Sequence, residues 1–157
     1  MKDIVKNLCD KLNNEWALLT AGDKKKFNSM TISWGSFGVL WFKNVVTVYV
    51  RPERYTLEFL KKQKYFTVSF YDKKYKKDLQ ILGTKSGRNT NKMQEISLTP
   101  NFLEKGITFK EASQTFVCKK LYMGQMDLNK MDEQTKQQNY TSPEGHYVFI
   151  GEIEKIV

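Results

Sequence analysis

The segment R-P-E-R-Y-T, from Arg51 to Thr56, has residue types that could bind a phosphate group. It follows Val45 to Val50, a β-branched run typical of a strand buried on both faces, and it precedes a predicted helix. Backbone N–H groups at a helix start attract anions, and Arg51 and Arg54 could add bidentate bonds. In the alternative interpretation, Thr56 only caps the helix and both arginines pair with carboxylates. The residues alone favour this alternative, because caps are commoner than ligand sites.

A second segment with similar chemistry, G-T-K-S-G-R, runs from Gly83 to Arg88 and is followed by N-T-N-K, which ends at Lys92. Glycines let backbone N–H groups converge on an anionic oxygen, and the hydroxyls and cations here suit the same ligand. The spacing is not that of a nucleotide-binding P-loop. An ordinary exposed loop is the alternative, and these residues alone favour it.

The stretch N-S-M-T-I-S-W-G-S-F-G, from Asn28 to Gly38, alternates hydroxyl and apolar side chains as a strand would. The apolar face is suited to a core, and the hydroxyl face could line either water or a ligand. The hydroxyl face carries Ser29, Thr31 and Ser33, and the apolar face carries Met30, Ile32 and Trp34. Trp34 and Trp41 flank a predicted glycine turn.

Several kinds of site are disfavoured by the sequence. One histidine, His146, and two distant cysteines, Cys9 and Cys118, make a zinc site improbable, so no metal ligands are predicted. No G-x-S-x-G elbow supports a serine hydrolase, and Gly35 to Gly38 lacks the dinucleotide-binding pattern. The cysteine spacing does not indicate a disulfide framework, which favours a reducing cytoplasm.

The net charge of +9 calls for an anionic partner or a well-solvated surface. Lysine clusters lie at Lys24 to Lys26, Lys61 to Lys64 and Lys73 to Lys77. A phosphate-bearing cofactor, an acidic protein and nucleic acid all fit this charge. Neither an apolar run of about 18 residues nor a start resembling a signal peptide is present, so no membrane association is predicted.

The elements that would position these residues are mostly strands. Composition and length predict one domain over residues 1–157, mainly β, with short helical insertions and most simply a barrel. Besides the stretches above, predicted strands are Trp16 to Ala21, which forms a hairpin with the strand from Asn28, then Tyr65 to Phe70, Gly106 to Ala112, Thr115 to Met126 and His146 to Val157. Predicted helices are Ile4 to Asn13, Thr56 to Lys64 with a threonine cap, and Lys74 to Leu82; Tyr140 to Gly145 is a predicted turn.

Four motifs in order resemble the flavin reductase family, the flavoproteins with an FMN-binding split barrel, and look most like its flavoredoxin-type branch. They are N-S-M-T-I-S-W-G-S-F-G-V-L-W, V-R-P-E-R-Y-T, G-T-K-S-G-R-N-T-N-K and H-Y-V-F-I-G-E-I. The resemblance runs from about Trp16 to the C-terminus. It implies a split β-barrel that binds FMN. We call Arg51 to Thr56 the first anion segment and Gly83 to Arg88 the second. For both, the resemblance favours a phosphate site over a simple helix cap or an ordinary exposed loop.

The resemblance also implies roles for individual residues. The strand from Asn28 would run beside the flavin with Trp34 and Gly35 closing over the ring, while the two anion segments would bracket the phosphate. His146 would lie near the flavin and could assist proton delivery. The implied cofactor-binding residues are Asn28, Ser29, Met30, Thr31, Ser33, Trp34, Gly35, Arg51, Arg54, Tyr55, Thr56, Lys85, Ser86, Gly87, Arg88 and Lys92.

The activity implied by the resemblance is an NAD(P)H-dependent flavin reductase that passes hydride to flavin N5. FMN would be tightly bound or exchangeable, NADH or NADPH would be the donor, and FMN would lie at or near the interface of a homodimer. One alternative is a flavoredoxin-like electron carrier that meets an acidic redox protein and does not use nicotinamide directly. A basic barrel that binds single-stranded nucleic acid is the alternative from another class. It ranks lower, because the lysines do not alternate with aromatics along one strand.

Overall fold

The computed structural model describes residues 7–157, and within them the chain forms nine β-strands. Seven strands make one antiparallel sheet in the order β2-β1-β5-β8-β9-β4-β3, and β6 pairs with β7 separately. The strands are β1 Ala17–Gly22, β2 Phe27–Ile32, β3 Gly35–Leu40, β4 Lys43–Val50, β5 Tyr65–Phe70, β6 Pro100–Phe102, β7 Ile107–Phe109, β8 Gln114–Gln125 and β9 Tyr147–Ile156.

The sheet closes on itself at one place. Strands β2 and β3 stand at the two ends of the strand order, yet only Ser33 and Trp34 connect them. The two ends of the sheet must therefore meet at these residues, although no β2–β3 pairing exists among the described strands. This is a barrel with a split, and we call the Ser33–Trp34 connection the seam.

Besides the helical residues at the start of the described range, residues 7–157 form three α-helices: α1 Thr56–Lys62, α2 Lys76–Thr84 and α3 Glu133–Asn139. Helix α1 has Glu58 in its first turn and Lys61 and Lys62 in its last, the order that the helix dipole favours. Residues 7–10 are helical and continue into a π-helical turn, Lys11–Glu15. No helix in the described part of the chain has the length and apolar character needed to cross a bilayer.

The core has two parts, because the side chains of β1 are buried on both of its faces. Leu19 packs inside the barrel, in a cluster that includes side chains of β4, β5 and α1. Leu18 points the other way and packs with Leu79 and Leu82 of α2. This second cluster holds α2 on the outside of the sheet. It thereby fixes the position at which the loop after α2 begins.

Most of the predicted architecture is confirmed. The strand from Tyr65 to Phe70 has the predicted bounds, and the hairpin of β1 with β2 pairs Leu19 with Met30. The prediction of a glycine turn at Gly35 to Gly38 is wrong, because these residues lie in β3 and the chain reverses after it at Trp41 and Phe42. The predicted helix from Ile4 to Asn13 begins outside the described residues.

Gly151 offers a test of how tightly the barrel interior is packed. A Cβ atom there would lie 2.6 Å from Phe66 Cζ and 2.9 Å from Cys118 Cβ. We therefore expect Gly151→Ala to lower the free energy of unfolding by about 1–3 kcal/mol, the usual cost of overpacking. Urea denaturation measures this change.

Gly38→Ala is the matched control, because Gly38 is also a strand glycine but nothing lies within 4 Å of its virtual Cβ. Alanine there is expected to leave the stability unchanged or slightly raise it. Equal destabilisation by both substitutions would contradict the packing argument.

Candidate functional site

Two cavities share a wall at the seam. The first, which we call the aromatic cavity, has a volume of about 440 Å³ and is lined by Cys9, Leu12, Ser33, Trp34, Gly35, Tyr49, Met126, Tyr140 and His146. The second, the arginine cavity, has a volume of about 210 Å³ and is lined by Met30, Thr31, Ile32, Ser33, Trp34, Tyr49, Arg51, Arg54 and His146. Because Trp34 and His146 line both, a group bound in one cavity lies beside a group bound in the other.

A third cavity, the basic groove, lies at the other end of β2. It has a volume of about 660 Å³ and is lined by Lys25, Lys26, Phe27, Asn28, Tyr55, Gly87, Arg88, Asn89, Thr90, Asn91, Lys92, Met93 and Pro100. Asn28 lines the groove and Ser33 lines the arginine cavity. At ~3.4 Å per residue these two positions are about 17 Å apart along the strand, room for one elongated ligand to follow β2.

The two arginines of the first anion segment have different surroundings. Arg51 is exposed, and its guanidinium carbon lies 5.9 Å from the Trp34 ring centroid. Arg54 donates to the carbonyls of Gly83, at 2.9 Å, and Leu82, at 3.5 Å, at the end of α2. The alternative in which both arginines pair with carboxylates is wrong for residues 7–157, where neither forms an ion pair. Burial lowers the pKa of Arg54.

Lys92 is the second cation at the end of α2, and it is only 2% exposed. Its ammonium donates to the carbonyls of Leu82, at 3.2 Å, and Lys85, at 3.1 Å. Burial, and then the charge of Arg54, lower the pKa of Lys92 to about 8. Buried Lys92 and partly buried Arg54 thus both donate to the Leu82 carbonyl. Lys92 lines the basic groove, whose described lining residues include no carboxylate, and Arg54 lines the arginine cavity. A bound dianion would supply the missing negative charge.

Side chains from three segments meet beside these cations. Asn28 Nδ2 donates to Thr56 Oγ1 at 2.8 Å, and a Cβ atom at Gly87 would lie 2.2 Å from Asn28 Oδ1 and 3.3 Å from Tyr55 Cδ1. The glycine is therefore needed for the loop to approach β2. The prediction that Thr56 caps α1 is wrong: Tyr55 occupies the cap position without a side-chain cap bond, and the Thr56 hydroxyl binds Asn28 instead.

The exposed cations of the second anion segment are paired. Lys85 forms an ion pair with Glu95, and Arg88 with Glu58. Such surface pairs contribute little to stability, so either can exchange its partner for a ligand at small cost. Ser86 accepts a bond from the Arg88 backbone N–H at 3.3 Å, which shapes the turn.

The hydroxyl row of β2 mainly binds the protein itself. Ser29 is fully buried and bonds Thr20 Oγ1 at 2.7 Å, and the Thr31 hydroxyl donates to the Leu79 carbonyl on α2. The prediction that this row faces water or a ligand is therefore wrong for Ser29. Thr31 lines the arginine cavity even though its hydroxyl is engaged, and Ser33 lines both cavities at the seam.

His146 is 3% exposed and lies between two aromatic side chains. Its ring centroid is 5.3 Å from that of Trp34, and Nδ1 lies 2.6 Å from the Tyr140 hydroxyl. Burial, and then the charge of Arg51, lower the pKa of His146 below its usual 6.5. The imidazole is neutral at pH 7, and since a phenol is the better donor, we assign O–H···Nδ1 with the ring proton on Nε2. No local sequence pattern indicated a site role for Tyr140, which follows the polar helix α3.

We expect the NMR titration of His146, the one histidine in the chain, to show a pKa below 6.5. At such a pH the unfolded state binds a proton that the native state does not bind. The free energy of unfolding should therefore fall as the pH drops below about 6.5. Arg51→Ala removes a repelling charge and should raise the His146 pKa, whereas Lys43→Ala, at the far end of β4, should not. A His146 pKa at or above 6.5 would contradict this assignment.

No group of three or more histidine, cysteine or acidic side chains is arranged to hold a metal ion within residues 7–157. In the same range, Lys92 lines the groove at one end of β2, and Arg51, Arg54 and the rings of Trp34 and His146 line the arginine cavity at the other.

Comparison with known proteins gives a consistent result. The model of the family "Flavin reductase like domain" matches residues 10–157. Flavoredoxin from Methanosarcina acetivorans superposes with a TM-score of 0.69 and 22% identity, over 91% of this chain and 67% of that chain. An FMN-binding protein from Thermus thermophilus with bound 1-cyclohex-2-enone gives 0.70 and 19%, over 90% and 68%. The flavin reductase PheA2 gives 0.68 and 16%, over 100% and 87%. No curated protein matches. The structural similarities establish the split-barrel fold.

Proposed function

The chain belongs to the flavin reductase-like domain family, and from that premise we propose that it binds FMN along β2 and passes hydride from NADH or NADPH to it. The observation that carries the proposal is that buried Lys92 and partly buried Arg54 both donate to the Leu82 carbonyl, while neither forms an ion pair within residues 7–157. The membership favours this function over binding of single-stranded nucleic acid.

The residues at the groove end fit a phosphate ester. Lys92 supplies buried positive charge, and partly buried Arg54 adds charge at the same Leu82 carbonyl. Arg88 can leave its exposed pair with Glu58, and Gly87 leaves the backbone accessible. Further contacts would come from Asn28, Tyr55, Lys85 and Ser86. Ser29 and Thr56 act indirectly in this proposal, because their hydroxyls hold β1 and Asn28.

The residues at the seam fit a planar ring. Met30, Thr31 and Ser33 line the arginine cavity with Trp34, and Gly35 lines the aromatic cavity beside it. The bound flavin would supply the hydride chemistry, and the protein would orient the ring and set its electrostatic surroundings. Arg51 places a positive charge over Trp34, and this charge would favour negative charge on the bound flavin ring. Neutral His146 can hold a proton on Nε2 at the wall between the cavities.

The homodimer with FMN at or near its interface belongs to this proposal, and the β3–β4 hairpin tip supports it. Val39, Leu40, Trp41 and Phe42 are all exposed, Phe42 completely. Contiguous apolar surface of this kind marks interaction sites. A second copy of the chain would cover it.

A flavoredoxin-like electron carrier is the second candidate, favoured by the similarity to a flavoredoxin. In that case the lysine clusters would attract an acidic redox protein, and nicotinamide would not be used directly.

Cys9 and Cys118 are both free thiols, which supports the proposal of a reducing cytoplasm.

The test begins with an absorbance spectrum of the purified protein and identification of whatever heating releases. Flavin bands from FMN, or uptake of added FMN by a colourless protein, are expected. Anaerobic stopped-flow mixing with NADH and with NADPH then separates the two candidates: rapid bleaching supports the reductase, and no reduction by either supports the carrier. A protein that neither contains nor takes up FMN would overturn the proposal.

A further inference from the structure

Five lysines lie together where helix α1 ends and strand β8 passes beside the loop that follows it. We call them the lysine patch: Lys61, Lys62, Lys64, Lys119 and Lys120. The first three are exposed, and the two on β8 are half-buried. None of the five forms an ion pair in the described part of the chain. Like charges that are concentrated and not neutralised in this way favour an anionic partner.

Lys120 builds the patch into the fold. Its ammonium donates to the carbonyls of Leu60, at 2.6 Å, and Lys61, at 3.0 Å, in the last turn of α1. A cation is favoured at this end of a helix because the helix dipole is negative there. The backbone N–H of Lys120 also donates to the Lys64 carbonyl at 2.8 Å. The ammonium groups are therefore held on a folded surface although they repel one another.

The acidic residues beside the patch already have partners. Glu152 lies opposite Lys119 in the β8–β9 ladder, but it pairs with Lys43 at 2.7 Å. Glu154 pairs with Lys105 at 2.9 Å. The carboxylates of a partner protein would therefore meet little competition at the patch.

The other two lysine clusters of the sequence have acidic residues next to them. Asp72 and Asp78 flank the cluster from Lys73 to Lys77, and Asp23 precedes the cluster from Lys24 to Lys26. The lysine patch has no acidic residue within either of the two sequence segments that form it. Of the three clusters, it is the one that best complements a negatively charged surface.

The aromatic rings in and around the patch are covered by ammonium groups. Lys61 Nζ lies 4.3 Å from the Tyr147 ring centroid. Lys64 Nζ and Lys105 Nζ lie 5.8 Å and 5.1 Å from the Tyr65 ring centroid. Proteins that bind single-stranded nucleic acid offer open ring faces on which bases stack. The covered rings therefore favour the carboxylates of an acidic protein over nucleic acid.

Tyr147 connects the patch to the proposed flavin site. Its ring lies under Lys61, and it directly follows His146, which lines both cavities at the seam. Exposed Arg51 lines the arginine cavity together with His146 and adds positive charge on that side. A protein docked on the patch would therefore lie beside the wall that the two cavities share.

We propose that the lysine patch is the docking surface for an acidic electron-transfer protein that delivers electrons to the site at the seam. The proposal rests on the second candidate function, the electron carrier, and specifies where its partner binds. Each docked partner loses one electron, so two partners in succession and two protons from solvent reduce one FMN. The docking itself depends only on the lysines.

The probe is an acidic plant-type [2Fe–2S] ferredoxin, and NMR titration of the protein without FMN gives its affinity. The patch variant combines Lys61→Gln, Lys62→Gln and Lys64→Gln. The control variant removes the same charge from three exposed lysines of another cluster, by Lys73→Gln, Lys74→Gln and Lys77→Gln. Thermal unfolding of both variants accompanies the titration.

Wild type should bind the ferredoxin, and the affinity should fall as salt is raised from 50 to 300 mM. The patch variant should bind about 5- to 50-fold more weakly, the combined effect of three exposed charge pairs, and the control variant less than about 3-fold more weakly. No binding by wild type at low salt, or equal losses in the two variants, would overturn the proposal. Tighter binding of a single-stranded oligonucleotide or of phosphatidylserine vesicles through the same three lysines would also overturn it.

Stopped-flow mixing of FMN-loaded protein with reduced ferredoxin supplies the second measurement. The second-order rate of flavin bleaching should fall in the patch variant by a factor similar to its loss of affinity, and not in the control variant. The two proposals fail separately. Docking on the patch without FMN uptake removes the flavin function alone, whereas FMN uptake with docking unaffected in the patch variant removes this inference alone.

Discussion

Replacing Lys92 by methionine is expected to weaken FMN binding about 10- to 100-fold at pH 7, the range for a hydrogen bond to a charged group. The ammonium is buried and already ordered by two carbonyls, so it can add a phosphate oxygen without losing further side-chain freedom. Methionine keeps most of the buried stem and removes only the charge and its donors. Fluorescence titration of FMN gives the dissociation constants.

Lys85→Met provides the comparison for this substitution, because Lys85 lies in the same loop but is exposed and paired with Glu95. A change of less than about 3-fold is expected, in line with the small energies of exposed ion pairs. Thermal unfolding of both apo variants must accompany the titration, since Lys92 also binds the end of α2. If Lys92→Met binds FMN as wild type does, the phosphate lies elsewhere.

The same lysine should make FMN affinity depend on pH. The pKa of Lys92 is lowered to about 8, first by burial and second by the positive charge of Arg54. A phosphate dianion favours the ammonium form, so above about pH 8 binding must be accompanied by proton uptake. The affinity of wild type should then fall by up to about tenfold per pH unit, and that of Lys92→Met should not. A flat wild-type profile between pH 7 and 9.5 would contradict this role.

The second large effect concerns the hairpin tip. Trp41→Asn combined with Phe42→Gly is expected to weaken the proposed homodimer about 100-fold or more, because two exposed aromatic anchors are lost from each copy. Trp41 and Phe42 have φ angles of 52° and 57°, a left-handed pair that asparagine and glycine adopt readily and aromatic residues do not. The double variant should therefore leave the monomer as stable as before or more stable.

Sedimentation velocity over a range of protein concentrations measures the dissociation, and thermal unfolding at low concentration measures the monomer. Phe102→Ser is the control, at a partly exposed phenylalanine on β6. It should leave the oligomeric state unchanged. A wild-type protein that is monomeric at every concentration would remove the dimer from the proposal. A variant dimer as tight as wild type would place the interface elsewhere.

Where the sequence predicted the fold well, local pattern and tertiary environment agree. Tyr65 to Phe70 alternates cleanly and is a strand with these bounds, and Val45 to Val50 falls within β4. Gly35 to Gly38 suggested a turn because glycine usually breaks strands, yet pairing with β4 makes it a strand.

The candidate site was less predictable, because its contacts join distant parts of the chain. The Thr56 hydroxyl is taken by Asn28, 28 residues away, which no capping rule anticipates. The burial of Lys92 depends on the end of α2 and could not be inferred from a polar loop. The partner of His146 came from the polar segment before it, where the pattern gave no strand or core signal.

The seam at Ser33 and Trp34 also has a kinetic consequence. The pairings of β1 with β2 and of β3 with β4 are local hairpins, whereas the closure between β2 and β3 has no ladder of its own. We expect the seam to close late in folding, after the sheet has assembled. Trp34→Ala should then accelerate unfolding while leaving the refolding rate nearly unchanged in stopped-flow experiments. If Trp34→Ala instead slowed refolding by as large a factor as it accelerated unfolding, contacts at the seam would already be present in the folding transition state. The ligand site would then form together with the barrel.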